Sequence, residues 1–331
     1  MKPVFYTLLL LLSSLYVTSC KDGARGKTLL PGVTGASGEI VVVADKHVGE
    51  SPFMKSLVEK LSEEYPMLPQ VEPMFSVHVI PPTAFSDLFK RHRNLIIAQV
   101  SPEAEQSKIF VRQDVWASPQ TVLYIQGNKL DSLAAYIPKY YNRVTTTFEQ
   151  AEVQRNIANI KRYEQVSIRE EVKGRFGFSL YFPFGYTLRR TPGENFMWIS
   201  NETETTSHGI FIYAYPNVGK VVPGKKNILA ERTLVLTTNV PGPTLGSYMI
   251  ASPEIEPVES TTRFAGQPCR MLRGLWELKS DFMGGPFISY TVVDPSGQRA
   301  ITLEGYVYAP QKDKRILLRQ VDAVLQTLSF D

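Results

Sequence analysis

The spacing of apolar residues changes character near Val166, and that change constrains the fold more than composition does. Before it, short aliphatic runs alternate with amphipathic stretches. EIVVVAD (39–45) suits a strand buried on both faces, and in SPFMKSLVEKLSEEYP the residues Met54, Leu57, Val58, Leu61 and Tyr65 share one helical face. Ser51 and Pro52 supply the cap and first turn, and Pro66 the stop. MFSVHVI alternates as a strand does; a short helix is expected near 84–91, with NLIIAQV, KIFVRQD and TVLYIQG as further strands. NKLDSLAAYIPKYY and a polar segment over 146–165 are expected to be helical, the second with a narrow stripe of Val153, Ile157, Ile160 and Tyr163.

From Val166 strands dominate: FGFSLYFP, NFMWISNE, GIFIYAYP, PCRMLRGLWELK, PFISYTVVD and AITLEGYVYAP, divided by turn-forming PFG, TPGE, FMGG and DPSG. A helix is expected over Leu229–Thr238. Another closes the chain, with Leu317, Val321, Val324, Leu325 and Leu328 on one face. The expected class is α+β, as two tandem α/β-sandwich domains: an N-terminal α/β domain (39–165) and a C-terminal α+β domain (166–331), the second a mostly antiparallel sheet covered by the C-terminal helix. A hydrophobic share of 43% with 21% charged residues is that of a chain with real cores. The net charge of +4 is spread with both signs interspersed, so no nucleic-acid partner is expected.

Val4–Val17, behind Lys2, is apolar but falls short of the roughly 20 residues that span a bilayer, and has the length of a signal-peptide core. Val17-Thr18-Ser19-Cys20 resembles a bacterial lipobox. The resemblance implies a lipoprotein signal peptide over 1–19, lipidation at Cys20, and the membrane as a partner through that lipid; acyl burial at about 0.8 kcal/mol per CH₂ makes multi-chain anchoring durable. Gly-rich residues 20–38 read as a flexible tether, with a span of about 20 to 25 Å. Lys21 stands where the inner-membrane retention signal has Asp, which implies the outer membrane; KDG resembles the export tag of Bacteroidota surface lipoproteins, so periplasmic and surface faces both stay open. With Cys20 lipidated, Cys269 is expected free and buried; the alternative pairs the two.

A chemical motif is harder to find. No G-x-S-x-G elbow, phosphate loop or H-E-x-x-H is present, Ser37 lies in the tether, and His47, His78, His92 and His208 are scattered, so neither a metal site nor a cofactor is expected and the chain reads as non-catalytic. Asp45 and His47 end a strand, a ligand position in α/β folds, with a solvated turn as the alternative. Glu202, Glu204 and His208 read as a polar hairpin loop, and His92, between Arg91 and Arg93, as an exposed helix end. Two stretches look overspecified for scaffolding and are the partner-binding candidates. Trp116 follows Asp114 in a turn, and Gly284 and Gly285 follow Phe282 and Met283, where an exposed Phe-Met tip would suit docking and a buried aromatic plug is the alternative. Asp131-Ser132-Leu133 resembles the O-glycosylation acceptor of Bacteroidota envelope proteins, with Ser132 as the acceptor and a helix cap as the structural alternative.

SLYFPFGY and the late YVYAP strand resemble the PsbP-like α/β/α fold, from which no function is carried. RNLIIAQV, DVWASPQ, FPFGY, MGGPF and VYAPQKDKR together resemble a family of uncharacterised Bacteroidota lipoproteins, domain-of-unknown-function family 4837, over nearly the whole mature chain. That resemblance implies an address and brings no activity. The expectation is a cell-envelope lipoprotein that binds or scaffolds an envelope protein partner. The alternatives are a small-ligand binder for glycan or lipid, suggested by an 11% aromatic share and two domains, and an unrecognised hydrolase using scattered acids. A broad exposed aromatic patch would favour the first, an apolar cavity the second, and a cleft of perturbed carboxylates the third.

Overall fold

Residues 40–43 are all β-branched, which suits a pleated surface packed on both sides. In the structure, a computed structural model that describes residues 29–330, they form most of strand β1 (Glu39–Val43) inside a five-stranded sheet of order β2-β1-β3-β5-β4. Strands β2 (Ser76–Ile80), β3 (Asn94–Val100) and β5 (Thr121–Gly127) run parallel to β1, and β4 (Lys108–Gln113) closes the edge antiparallel to β5. Parallel strands need long crossovers. Helices α1 (Lys46–Gly49), α2 (Pro52–Leu61) and α3 (Asp87–Lys90) lie within them, and α4 (Leu130–Tyr136) and α5 (Tyr141–Arg162) follow β5. Ser51 caps α2 through the Met54 N–H at 3.2 Å, as the sequence predicts.

Ile40, Val42, Ile96, Leu123 and Ile125 pack against Phe53, Leu57, Leu133 and Phe148 from the helices. The opposite face is covered differently. Val41, Val43, Leu95, Ile97 and Val122 meet Phe85, Phe89, Val115 and Trp116, which come from loops and the single-turn α3. The sheet is therefore sealed by helices on one side and roofed only in part on the other.

The expected signal peptide over residues 1–19 and the expected lipidation site Cys20 lie outside the described residues. The described end of the tether expected over 20–38 is not free. Thr34 donates to Arg91 O at 2.8 Å and accepts from the Arg93 N–H at 3.0 Å, while the Ser118 N–H reaches Pro31 O at 2.9 Å. Gly35, at φ 86°, lets the chain cross the His92 ring; a Cβ there would fall 2.2 Å from Nε2. Ser37 Oγ then donates to the buried Glu152 carboxylate at 3.0 Å. His92 is accordingly buried, its Nε2 3.3 Å from Glu39 Oε2, rather than the exposed helix end expected.

Val166 does not open a run of strands. Ile168, Val172 and Phe176, four apart, bury one face of α6 (Val166–Phe176), which ends at Gly177 in the left-handed region. FGFSLYFP then alternates as a strand would, with Phe178, Leu180 and Phe182 fully buried, but its backbone finds only isolated bridges, at Ser179 to Ser329 and Pro183 to Glu164. It is a buried extended segment without a ladder.

The second sheet has eight strands, all antiparallel: β6 (Thr187–Arg190), β7 (Phe196–Glu202), β8 (Ser207–Pro216), β9 (Tyr248–Ala251), β10 (Val258–Phe264), β11 (Gln267–Lys279), β12 (Gly284–Val293) and β13 (Arg299–Tyr308). The order is β10-β11-β12-β13-β8-β7-β6, with β9 also paired to β11. The closing helix α8 (Arg315–Leu325) lays Val321, Val324 and Leu325 beside Ile210, Ile212, Leu303 and Val307, as its periodicity predicts, but Leu318 is the fully buried leucine of its first turns and the expected Leu317 packs only partly against the cluster. The other face carries an aromatic layer under α7 (Lys225–Asn239), so two layers cover this sheet, not one. A buried bidentate pair fixes α7: Arg232 Nε to Glu304 Oε2 at 2.8 Å and Nη2 to Oε1 at 2.7 Å, the guanidinium 4.3 Å from the Phe287 ring centre. The whole is a two-domain α+β arrangement.

Candidate functional site

The aromatic layer does not close at its end. Trp198, Trp276, Tyr306, Tyr308, Met249 and Met283 line a pocket of about 240 Å³, walled further by Val240–Pro243. Its shape follows from the sequence. Gly285 in β12 stands where a Cβ would meet Val307 O at 2.0 Å and Trp276 Nε1 at 3.3 Å, so only glycine leaves room for the indole, whose Nε1 donates to Val307 O at 3.3 Å. Gly284 likewise faces Trp276 O. Neither has a positive φ; what the pair permits is close approach by the neighbouring strands of its own sheet. Trp198 Nε1 donates to Tyr306 Oη at 3.0 Å, which also lies 3.2 Å from Ser207 Oγ, and burial pushes the Tyr306 phenol above its usual range.

Two loops wall the pocket and each carries a fully exposed apolar tip. Phe282 is 106% exposed and Leu245 103% exposed. The hairpin is closed by Leu278 N–H to Met283 O at 2.9 Å, with Ser280 at φ 65°. Thr244 Oγ1 donates to Asp281 Oδ2 at 2.6 Å and joins the two loops; the Thr244 hydroxyl, then the Phe282 N–H, hold the Asp281 carboxyl below its ordinary range. Phe282 is thus no buried plug, whereas Met283 beside it packs on the aromatic core. The one carboxylate lining the pocket, Glu202, is engaged by Ser200 Oγ at 2.9 Å and by Arg189 in a tight ion pair. Neither a nucleophile with a base nor two facing acids are assembled here; the chemistry on offer is apolar contact with a few hydroxyls.

The other sequence candidates lie apart. Trp116 is on the loop-roofed face of the N-terminal sheet, its ring edge-on to Phe85 at 5.4 Å. Asp45 caps α1 by accepting from the Val48 N–H at 2.9 Å, and His47 is exposed on that turn. Ser132 is half-buried inside α4, whose N-cap is Lys129, so Ser132 is not the cap. His208 is a half-buried residue of β8, its ring edge-on to Tyr186 at 5.6 Å and its pKa lowered by burial, not part of an acidic loop site. Cys269 is free and buried, its thiol pushed up to about 12. Among the described residues no group of three metal-ligating side chains occurs, and no helix is long and apolar enough to cross a membrane. Sequence reasoning missed Leu245 and the Trp198–Tyr306 wall; the lone Leu in NVPGPTLGSY was the available signal.

Residues 165–327 match the family described as Domain of unknown function (DUF4837) and residues 33–161 the one described as Domain of unknown function (DUF8532), so the chain carries one domain of each. The resemblance seen in the sequence therefore belongs to the C-terminal half; RNLIIAQV and DVWASPQ fall in the other family. No curated protein matches. Among solved structures, LpqN of Mycobacterium tuberculosis, described as involved in cell envelope biogenesis, is 14% identical with a TM-score of 0.28, over 46% of this chain and 82% of that one. A Bacteroides thetaiotaomicron protein is 11% identical with a TM-score of 0.24, over 44% of this chain and 43% of that one, less than half its length. Likenesses at that level carry nothing about function.

Proposed function

We propose that the protein is a non-catalytic envelope lipoprotein, anchored through lipid on Cys20 in the outer membrane, whose C-terminal domain docks an envelope protein partner at the Phe282–Leu245 rim. The observation that carries the docking reading is the pair of fully exposed apolar tips on two hydrogen-bonded loops beside an aromatic pocket. A monomer gains nothing from holding such residues in water, whereas a partner side chain seated between them would remove both tips and the pocket mouth from solvent. The lipobox supports the anchor, and Lys21 supports the outer membrane.

In-cell crosslinking of the full-length lipidated protein tests the reading. One stoichiometric envelope protein should copurify, and it should be lost from the Phe282→Ser, Leu245→Ser double variant. No partner, or a partner indifferent to both substitutions, refutes docking at this rim. Cys20→Ala should separately release the protein from the membrane fraction; retention there would refute lipid anchoring.

A further inference from the structure

The N-terminal sheet has its own crevice. In the order β2-β1-β3-β5-β4, β1 connects toward β2 on one side and β3 toward β5 on the other, so the direction of winding reverses between β1 and β3. Connections that part company there leave a gap at the carboxyl ends of the two strands, where open α/β sheets bind ligands. Here that gap is a cavity of about 620 Å³ on the loop-roofed face, reaching Asp45 at the end of β1 and Gln99 and Ser101 at the end of β3. That volume suits a small molecule of one or two rings.

Its walls select the ligand. Trp116, Phe85 and Tyr124 present aromatic surface, and the platform continues outward where Phe110 stacks on Tyr124 at 4.9 Å and 5°, with Arg112 over both rings. Among the described residues, Trp116 Nε1, Tyr124 Oη, Gln99 Nε2 and Asp45 Oδ2 make no hydrogen bond, leaving three donors and a carboxylate acceptor around the aromatic walls. A nucleotide is disfavoured. Its phosphate needs a glycine-rich loop and a full helix N-terminus after β1; this chain offers Asp45, a repelling charge, and a four-residue turn. A sugar ring fits both features: its face of polarised C–H bonds lies on an aromatic face, and its hydroxyls donate to a carboxylate and accept from an amide and a phenol.

We propose that the crevice between β1 and β3 is a saccharide-binding site, in which Trp116 and Tyr124 stack on the sugar while Asp45 and Gln99 hydrogen-bond its hydroxyls. This site is independent of the C-terminal rim. The test is calorimetric titration of the full chain with diacetylchitobiose, cellobiose, maltose and mannobiose, and with adenosine monophosphate as the nucleotide control. At least one disaccharide should bind with a Kd of about 1 mM or tighter. Trp116→Ala should weaken it about tenfold or more, the gentler Trp116→Phe less, and Asp45→Asn and Gln99→Ala severalfold without a change in Tm, since both side chains are exposed and Asn still caps α1. Phe282→Ser should leave it unchanged. No disaccharide bound at roughly 20 mM, well above the weakest affinity expected, overturns the proposal. So does equal binding by Trp116→Ala and Asp45→Asn, or binding of the nucleotide alone.

Discussion

Phe282 and Met283 are adjacent in sequence and opposite in energetics. Phe282 touches water on all sides, so Phe282→Ser should change stability by no more than about 0.5 kcal/mol, whereas Met283→Ser removes a side chain packed on the aromatic core and should cost about 2 kcal/mol. Chemical denaturation of the two variants separates them, and a large loss from Phe282→Ser would restore the buried-plug reading. Glu152 is the reverse case, a charge held inside. Burial pushes its carboxyl up, but Arg155 and Arg93, with the Asn94 amide, outweigh burial and bring it to about 2 from 4.5. A folded pKa below the unfolded one means the ionised group contributes fully above about pH 4.5 and loses its contribution as pH falls toward 2, on the order of 3 kcal/mol in all. Glu152→Gln should therefore be less stable at neutral pH and show a flatter acid limb in urea titrations between those two pH values. An unchanged acid limb would sink this account.

At the scale of elements, α8 shows how much a helix can owe to a distant residue. Its own N-cap, Lys314, supplies no capping side chain; instead Glu72, in the other domain, accepts from the Lys314 N–H at 2.7 Å and the Arg315 N–H at 2.9 Å. Two orphan donors and the positive helix end are satisfied at once. Glu72→Ala should cost about 1 to 2 kcal/mol, read as a lower Tm, and Glu72→Gln less, since an amide oxygen still accepts. Equal stability of Glu72→Ala and the parent would mean water caps α8 as well. The apolar face of α8 was legible from Leu317, Val321, Val324 and Leu325, because amphipathic periodicity is local information. Its cap was not, since the partner is 242 residues away. The same division runs through the chain. Strand β1 and the Ser51 cap of α2 were readable; exposed β6 carries no apolar alternation, and α6 was hidden by the strand-like run behind it. The glycine pair at 284 and 285 marked the candidate pocket in the sequence, but its Trp198 and Tyr306 walls assemble only through strand pairing across β7, β8 and β13.

At the scale of the whole molecule, the boundary near 165 divides the sequence more cleanly than it divides the core. Tyr65, Leu68 and Ile160, from the N-terminal side, are buried within the same cluster as Phe178, Leu303 and Val321. Arg319 crosses in the other direction, its side chain 3% exposed, donating to Met74 O at 2.9 Å with its guanidinium 4.8 Å from the Phe75 ring centre. Arg315 donates to Met74 O at 3.1 Å beside it, and Tyr65 accepts from Arg273 Nη1 at 3.2 Å. A chain cut at the boundary would expose this apolar surface, leave Arg319 a charge without its carbonyl partner, and uncap α8. Separate domains joined by a linker would unfold in two steps, but elements sharing a core and a buried polar seam should melt together. The described chain is therefore expected to give one calorimetric transition, with calorimetric and van't Hoff enthalpies equal. A fragment of residues 166–331 should melt well below it or aggregate, and adding residues 39–165 in trans should raise its melting point by supplying Tyr65, Leu68, Glu72 and the Met74 carbonyl. Two resolved transitions in the intact chain, or a fragment as stable as the whole, would show that the shared cluster contributes packing without coupling.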